Sequence, residues 1–262
     1  MADSVAGAPQ VADYSQWRAR DYYDTYYSQT ILPDEQAVLA YQVSAMVQAG
    51  GCFEHALEYG CGPTLHRAIA AAGYTRHIDM SDWLADNLIA VRDWVEAGAN
   101  NTDWRRFTAY ILALEGNPLA GRAELRAREN RTRSAIRALY VSDARWSDPL
   151  GPQHRGFYDL IVSGFCLDAV SSDKAVWRTC MHNVLSTMRP GGTVVLHFLH
   201  ECRAYKCGAR LFPAANLTVD DVAESLRAEG FARGSIDVQV IACPDNAQFG
   251  YTGILTASAR KR

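Results

Sequence analysis

The sequence has little lysine and no apolar run long enough to cross a membrane. Only three of its 26 basic residues are lysines, and the arginines are scattered among acids, so no basic face for nucleic acid is predicted. No apolar run approaches the roughly 20 residues of a membrane span, and residues 1–5 lack the basic and apolar regions of a secretion signal. We therefore expect a cytoplasmic protein that binds a small molecule rather than nucleic acid or a membrane.

The seven cysteines are odd in number and include no Cys-x-x-Cys pair. Several lie in apolar runs, so reduced thiols in the core are expected. The segment 197–202 contains two histidines, a glutamate and a cysteine, which is a composition that could suit zinc. On a strand, however, His197 and His200 point to opposite faces, so we expect no metal there.

The order of the apolar segments predicts an α/β protein. Strand-like and helical segments alternate along the chain, which is typical of an open and mostly parallel sheet. Two strand-like runs, at 236–242 and 254–259, have no helix between them and predict a closing antiparallel hairpin. We expect a disordered segment over 1–16 and a single domain over 17–262, with a helical lid at 17–50 and a helical insertion at 100–135.

The segment 56–64 is predicted to be a buried strand that runs into a glycine turn and then a helix. Gly60 can adopt backbone conformations that are closed to other residues, and Gly62 lets a ligand approach the main chain. Pro63 suits the first turn of a helix, where its missing N–H costs nothing. This turn is a candidate seat for a nucleotide.

The residues around the turn favour one class of nucleotide over another. Leu65 occupies the third glycine position of the dinucleotide fingerprint, which disfavours an NAD-binding oxidoreductase. Asp79 comes nineteen residues after Gly60, next to the end of a strand predicted over 77–80, where an acid can accept ribose hydroxyls. An acid two positions before Gly60, together with Asp79, is typical of adenosylmethionine sites, although a plain tight turn explains the glycines as well.

Several motifs together resemble a known family. They lie at 20–22 with 26–27, at 60–64, at 114–117, at 165–170 and at 189–192. The chain resembles, from about Arg20 to Lys261, the small-molecule methyltransferases that include nicotinamide, phenylethanolamine and indolethylamine N-methyltransferases and thioether S-methyltransferase. The resemblance implies a Rossmann-like class I methyltransferase fold: a seven-stranded, mostly parallel sheet with a closing antiparallel hairpin and an N-terminal helical lid.

The resemblance also implies S-adenosylmethionine as the methyl donor. Tyr22 and Tyr27 match lid tyrosines that close over its methionine part, and Asp79 matches the acid that binds ribose. Met80 matches the residue that packs on adenine, and Asn87 matches a ribose or carboxylate partner if three residues are inserted after Asp82. The other implied donor contacts are Gly60, Gly62, Thr64, Asp143, Ala144, Gly164, Phe165 and, where the family usually has a tyrosine, His66.

On the acceptor side, Asp168 and Glu201 match two acids with which the phenylethanolamine enzyme holds its amine. We expect both to be catalytic, because a carboxylate can attract a cationic amine and take the proton that nitrogen must lose. Phe198 stands where the nicotinamide enzyme has an aspartate. The implied acceptor-binding residues are Phe165, Asp168, Phe198, Glu201, Cys202 and Tyr205.

These residues predict methylation of a small aromatic amine or indole-type metabolite, with nitrogen as the favoured atom. The protein is expected to act as a monomer or weak homodimer. Two alternatives stay open at this stage. One is C-methylation of an electron-rich ring such as indole in secondary metabolism, and the other is a module that binds adenosylmethionine without turnover.

Overall fold

The computed structural model describes residues 13–15, 17–97 and 102–262. In this part of the chain the strands are, in order, β1 (Phe53–Tyr59), β2 (Thr75–Asp82), β3 (Ile136–Val141), β4 (Tyr158–Gly164), β5 (Met188–Leu199), β6 (Ala204–Cys207), β7 (Arg210–Pro213), β8 (Asp237–Ala242) and β9 (Gly253–Arg260). Seven of them form one sheet in the order β3-β2-β1-β4-β5-β9-β8. Strands β1 to β5 are parallel, and β9 is antiparallel to β5 and β8. The predicted fold class is confirmed.

Helices cover both faces of this sheet. They are α1 (Ala19–Tyr26), α2 (Pro33–Gln48), α3 (His66–Ala71), α4 (Ala85–Val95), α5 (Arg105–Leu114), α6 (Arg122–Ala135), α7 (Lys174–Leu185) and α8 (Val219–Ala228). Because successive side chains of a strand point to opposite faces, Val195 of β5 belongs to the core under α2 to α5, whereas Val194 belongs to the core under α7 and α8. Among the described residues, no helix is long and apolar enough to span a membrane.

The carboxyl end of β2 lies further along the chain than the sequence predicts. Ser81 and Asp82 pair with residues of β3, so the strand continues past Met80 and α4 begins at Ala85. Asp79 is consequently an internal residue of the strand, and Asp82 is its last residue. This three-residue difference determines which acid reaches the ligand-binding edge of the sheet.

Two other segments differ from the predicted organisation. Strands β6 and β7 form a separate hairpin that was not predicted. The prediction of disorder over 1–16 falls mainly on residues outside the described part. Tyr14 is described and ordered: its ring stacks on Phe212 with centroids 5.0 Å apart, and its hydroxyl donates to the Ala169 carbonyl at 3.1 Å.

Candidate functional site

Two adjoining cavities open at the carboxyl edge of the parallel strands, where ligands of open α/β sheets bind. The first, which we call the turn cavity, lies beside the glycine turn and has a volume of about 650 Å³. The second, which we call the tyrosine cavity, lies beneath the tyrosines of α1 and has a volume of about 500 Å³. Both are lined by Tyr22, Phe165 and Tyr205, so ligands in the two cavities would meet at these shared walls.

The glycine turn packs directly on the loop that follows β4. Gly60 and Gly62 have φ angles of +67° and +58°, which favour glycine. A Cβ atom on Gly60 would lie 2.0 Å from Cys166 Sγ, so no side chain fits there. Both glycines line the turn cavity with Thr64, whose Oγ1 donates to the Cys61 carbonyl at 2.7 Å. The predicted turn residues are therefore brought to one wall.

The acid that lines the turn cavity is Asp82. Its Oδ2 accepts the Gly62 N–H at 2.8 Å, and its Oδ1 accepts from Leu84 N at 2.8 Å and from Asn87 Nδ2 at 3.0 Å. Burial raises its pKa, while these hydrogen bonds oppose the shift. Asp79 lies outside the cavity and accepts the Tyr158 hydroxyl at 2.8 Å, so its predicted placement at the ligand is corrected to Asp82.

The residues that follow these two acids, Met80 and Trp83, differ from the prediction in the same way as the acids do. Met80 is fully buried in the core below the sheet, whereas Trp83 is 43% exposed and lines the turn cavity. Trp83 also lines an adjoining side cavity of about 400 Å³, which contains the predicted residues Asp143 and Ala144. Asn87 lines the turn cavity five residues after Asp82, so the insertion assumed in the sequence comparison is not needed.

The two predicted residues of the side cavity, Asp143 and Ala144, are held by hydrogen bonds to neighbouring side chains. Asp143 accepts from Arg145 Nε at 2.9 Å, and this arginine lowers the Asp143 pKa even though burial opposes the shift. The Ala144 carbonyl accepts from Asn183 Nδ2 at 2.9 Å. The side cavity and the turn cavity share Gly60, Trp83 and Cys166 among their walls, which makes them parts of one elongated site.

Phe165 forms the wall between the turn cavity and the tyrosine cavity. Its φ of +56° is unusual for a bulky residue, and its N–H donates to the His197 carbonyl at 2.8 Å. Gly164, the preceding residue, lines the turn cavity as predicted. A strained backbone at the junction of two cavities is typical of a site where the surrounding structure fixes a functional side chain.

The lid tyrosines face each other at the entrance to the tyrosine cavity. The hydroxyls of Tyr22 and Tyr27 lie 3.4 Å apart, and burial raises the pKa of both above the ordinary range. Both are therefore neutral hydroxyl groups near pH 7. A Cβ atom on Gly62 would lie 3.9 Å from the Tyr22 ring, so this tyrosine closes directly over the glycine turn.

His66 turns away from the turn cavity, in contrast to its predicted donor contact. Its ring stacks on Trp104 with centroids 5.3 Å apart, and its Nε2 lies 2.7 Å from Glu35 Oε1. Burial lowers the His66 pKa to about 4, so the ring is neutral near pH 7. The next residue, Arg67, lines the turn cavity instead.

Two carboxylates that were not predicted line the tyrosine cavity: Asp34 and Glu35, in the first turn of α2. Oδ2 of Asp34 accepts from Asn246 Nδ2 at 2.6 Å and from the Tyr251 hydroxyl at 3.0 Å. Its Oδ1 is buried and has no hydrogen-bond partner among the described residues. Burial raises the Asp34 pKa, and the neighbouring Glu35 adds to the shift.

Glu35 has a different environment from Asp34. Its Oε1 lies 3.1 Å from Arg67 Nη2 and 2.7 Å from His66 Nε2. Although burial opposes the shift, Arg67 and then His66 lower the Glu35 pKa to about 2. Glu35 is therefore an ion-paired carboxylate, whereas Asp34 is held by the neutral groups of Asn246 and Tyr251.

The two predicted catalytic acids line neither cavity. Asp168 is buried behind the wall, where its Oδ2 accepts the Leu199 N–H at 2.8 Å and burial raises its pKa to about 7. Glu201 is exposed, and its φ of +47° marks a sharp turn after β5 that directs the chain towards Leu217, whose carbonyl accepts the Glu201 N–H. The structure therefore places neither acid among the described walls of the two cavities, in contrast to the predicted positions.

Of the other predicted acceptor-binding residues, some line the tyrosine cavity and some do not. Phe198 packs against Trp177 on the opposite face of the sheet, and the alternation of side chains along β5 places Leu199 in the tyrosine cavity instead. Cys202 is buried outside both cavities, with its Sγ 3.3 Å from the Ala204 carbonyl oxygen. Phe165 and Tyr205 do line the cavity.

Several residues that line the cavities were missed from sequence, among them Asp34, Glu35, Arg67, Asp82 and Trp83. The segment Pro33-Asp34-Glu35 follows the lid tyrosines and begins a helix, where acids normally complement the helix dipole. Because acids are common in the first turn of a helix, these two gave no sign in the sequence that they line a cavity. For Trp83, the sequence signal that could have indicated a cavity position was its place between Asp82, at the end of a strand, and the start of a helix.

Comparison with known proteins identifies the family. The NNMT/PNMT/TEMT family matches residues 8–262 of the chain. The chain belongs to this family. Nicotinamide N-methyltransferase of Sus scrofa is 27% identical over 175 residues, which are 67% of this chain and 65% of that enzyme. Indolethylamine N-methyltransferase of Oryctolagus cuniculus is 26% identical over 217 residues, which are 81% of each chain.

A solved structure agrees with this family at the level of the fold. It is the 1,6-didemethyltoxoflavin-N1-methyltransferase of Burkholderia thailandensis, with bound 1,6-didemethyltoxoflavin and S-adenosylhomocysteine. It has a TM-score of 0.56 and 17% sequence identity, and the match covers 99% of this chain and 93% of that one. The predicted family and the predicted methyltransferase fold are confirmed by these matches.

Proposed function

We propose that the protein transfers a methyl group from S-adenosylmethionine to a nitrogen atom of a small aromatic amine or indole-type metabolite. When bound, S-adenosylmethionine supplies an electrophilic methyl group on a sulfonium. Membership of this methyltransferase family supports S-adenosylmethionine as the methyl donor. One observation carries the acceptor class: Asp34 lines the aromatic-walled cavity, and its Oδ1 is a buried carboxylate oxygen with no hydrogen-bond partner among the described residues.

The residues of the turn cavity and side cavity fit the donor. Asp82 Oδ2 accepts one protein N–H, which leaves it able to accept a ribose hydroxyl as well. Trp83 offers a flat ring for adenine beside Asp143 and Ala144. The glycine turn leaves the main chain open beneath the methionine part, and Tyr22 closes it from above.

The tyrosine cavity fits an aromatic acceptor. Most of its walls are aromatic rings, which can stack on a planar acceptor and contact a cation through their faces. These rings are Tyr22, Tyr26, Tyr27, Phe165, Tyr205 and Tyr251.

Asp34 supplies the polar chemistry in this cavity. An alkylamine is protonated in neutral water and must lose a proton before its lone pair can attack a methyl group. Asp34 Oδ1 accepts that N–H and holds the proton, and its raised pKa makes it a better base than an exposed aspartate. The nitrogen lone pair then forms the new N–C bond, and the electrons of the breaking C–S bond remain on sulfur. The cavity walls exclude water and align the two atoms.

The proposal is tested with labelled S-adenosylmethionine and a panel of arylalkylamines and indoles, with the methyl group located by mass spectrometry. Asp34→Asn keeps an oxygen for Asn246 and Tyr251 but places an amide N–H₂ towards the acceptor. We expect kcat/KM to fall by about 10- to 1,000-fold, the range for losing a general base or an orienting charge. Glu201→Gln is the matched control and should retain wild-type turnover, because Glu201 is exposed outside the cavity.

Three results would contradict parts of this proposal. Wild-type activity in Asp34→Asn would remove Asp34 from the reaction. A methyl group found on a ring carbon would favour C-methylation, which needs no N–H acceptor at Asp34. Binding of S-adenosylhomocysteine without turnover of any compound in the panel would favour a module that binds the donor without catalysis.

A further inference from the structure

Arg67 is a buried cation at the wall of the turn cavity. It is the second residue of α3, directly after the glycine turn, and its side chain is 4% exposed. Among the described residues that line this cavity, it is the one cationic side chain, and Asp82 is the one acid. Burying a guanidinium is costly unless its N–H groups are paired, so the distribution of its partners indicates its role.

The protein pairs only part of this guanidinium. Nη2 donates to Glu35 Oε1 at 3.1 Å, whereas Nε is buried and has no hydrogen-bond partner among the described residues. Nε lies against Gly164: a Cβ atom on that residue would be 2.4 Å away, so glycine gives the guanidinium its space. Since a guanidinium is a planar fork with five donors, it can bind one carboxylate on one edge and a second on another.

The surroundings of Arg67 suit a second carboxylate. Besides Glu35, the buried carboxyl group of Glu58 lies near its charge, but burial raises the Glu58 pKa to about 8, so this group is mostly protonated near pH 7. The hydroxyls of Tyr22 and Tyr27 near Arg67 are neutral donors over the same turn. His66 is neutral and faces Trp104, so it adds no charge to the cavity. Within the described walls of the turn cavity, Arg67 is thus the charged donor available to an anionic ligand group.

We propose that Arg67 binds the carboxylate of the methionine part of S-adenosylmethionine, with Tyr22 and Tyr27 as additional donors. This proposal rests on the proposed function, because it requires that donor. Asp82 and Trp83 hold the nucleoside end of the elongated site, and the glycine turn, the lid tyrosines and Arg67 hold the amino-acid end. Glu35 orients the guanidinium from behind, so it is a positioning residue for the donor.

A purely structural ion pair between α2 and α3 makes a different prediction. In that case Arg67 and Glu35 support the fold and do not distinguish one ligand from another. In the proposed role, Arg67 strengthens binding of a ligand that has a carboxylate and leaves binding of the same ligand without it nearly unchanged. The difference between two ligands therefore separates the two roles.

The experiment measures dissociation constants by calorimetry for S-adenosylmethionine and for decarboxylated S-adenosylmethionine. The wild-type protein should bind the carboxylate-bearing ligand about 10- to 100-fold more tightly, the range for a charge-assisted hydrogen-bonded contact. The charge-balanced double variant Arg67→Gln with Glu35→Gln should lose this preference to within about threefold. The charge-balanced double variant Arg128→Gln with Glu115→Gln is the control: it removes an ion pair outside the turn cavity and should keep the preference.

The outcomes are separable. Equal affinity of wild-type protein for the two ligands overturns the proposal, and this measurement does not depend on how any variant folds. An Arg67→Gln, Glu35→Gln double variant that keeps the full preference overturns it as well. Failure of the wild-type protein to bind either ligand would reject the proposed donor, and the role of Arg67 with it.

Discussion

Replacement of Asp82 by asparagine tests the position of the acid that the structure assigns to the donor site. Asp82 accepts three hydrogen bonds, from Gly62 N, Leu84 N and Asn87 Nδ2, and both of its oxygens are used. An asparagine has one acceptor oxygen. In either orientation of the amide, its N–H₂ group faces a donor that the carboxylate had satisfied.

The magnitude follows from these contacts. One buried donor left unpaired costs about 1–3 kcal/mol, so we expect the free energy of unfolding to fall by about that amount. A ribose hydroxyl that bonded to a carboxylate now bonds to a neutral amide or to nothing. Loss of a charge-assisted hydrogen bond weakens binding by about 1–3 kcal/mol, which is about 5- to 150-fold in the dissociation constant of S-adenosylhomocysteine.

The assay is calorimetric titration with S-adenosylhomocysteine at a temperature where circular dichroism shows each variant folded. Asp79→Asn is the matched control on the same strand. Asp79 accepts the Tyr158 hydroxyl outside the cavity, and an asparagine oxygen can accept it equally well. The control should bind within about twofold of wild type. A wild-type dissociation constant in Asp82→Asn, or an equal loss in Asp79→Asn, would refute the assignment.

Two further predictions concern the core around the turn. Burial raises the pKa of Glu58 from 4.5 to about 8, so its contribution to stability is full below pH 4.5 and is lost as pH rises towards 8. The free energy of unfolding of Glu58→Gln should therefore increase relative to that of wild type between pH 5 and 8, by at most about 1.4 kcal/mol per pH unit. Urea denaturation at several pH values measures this difference, and parallel pH profiles of the two proteins would contradict the prediction. Gly60→Ala should destabilise the protein by about 2–4 kcal/mol in the same assay. Adding Cys166→Ala should not rescue it, because the Cys166 Cβ atom lies 2.3 Å from the new methyl group; full recovery in the double variant would show that the turn can move.

The parts of the site that depend on local backbone chemistry could be predicted from sequence. Gly60 and Gly62 were identified because a left-handed turn before a helix needs glycine, and the structure gives both positive φ angles. Gly164 and Phe165 lie at the end of a continuous apolar strand that is buried on both faces, and both line the turn cavity. In each case the determining interactions lie within a few residues along the chain.

The errors arose where a side chain's position depends on distant segments. The end of β2, and hence the exchange of Asp79 for Asp82, is set by pairing with β3, more than 50 residues further on. Phe198 was misplaced by a single residue, which on a strand reverses the face. Asp34 reaches the cavity through contacts with Asn246 and Tyr251, over 200 residues away, and no pattern within α2 reveals that packing.

The first turn of α2 bears on the order in which ligands bind. Asp34 and Glu35 are consecutive, yet in the proposed site Asp34 binds the acceptor and Glu35 pairs with Arg67, which is proposed to bind the donor. A shift of this turn would therefore alter both affinities at once. Thermodynamic coupling between two binding sites is reciprocal. If a bound donor increases the affinity for the acceptor by some factor, a bound acceptor increases the affinity for the donor by the same factor.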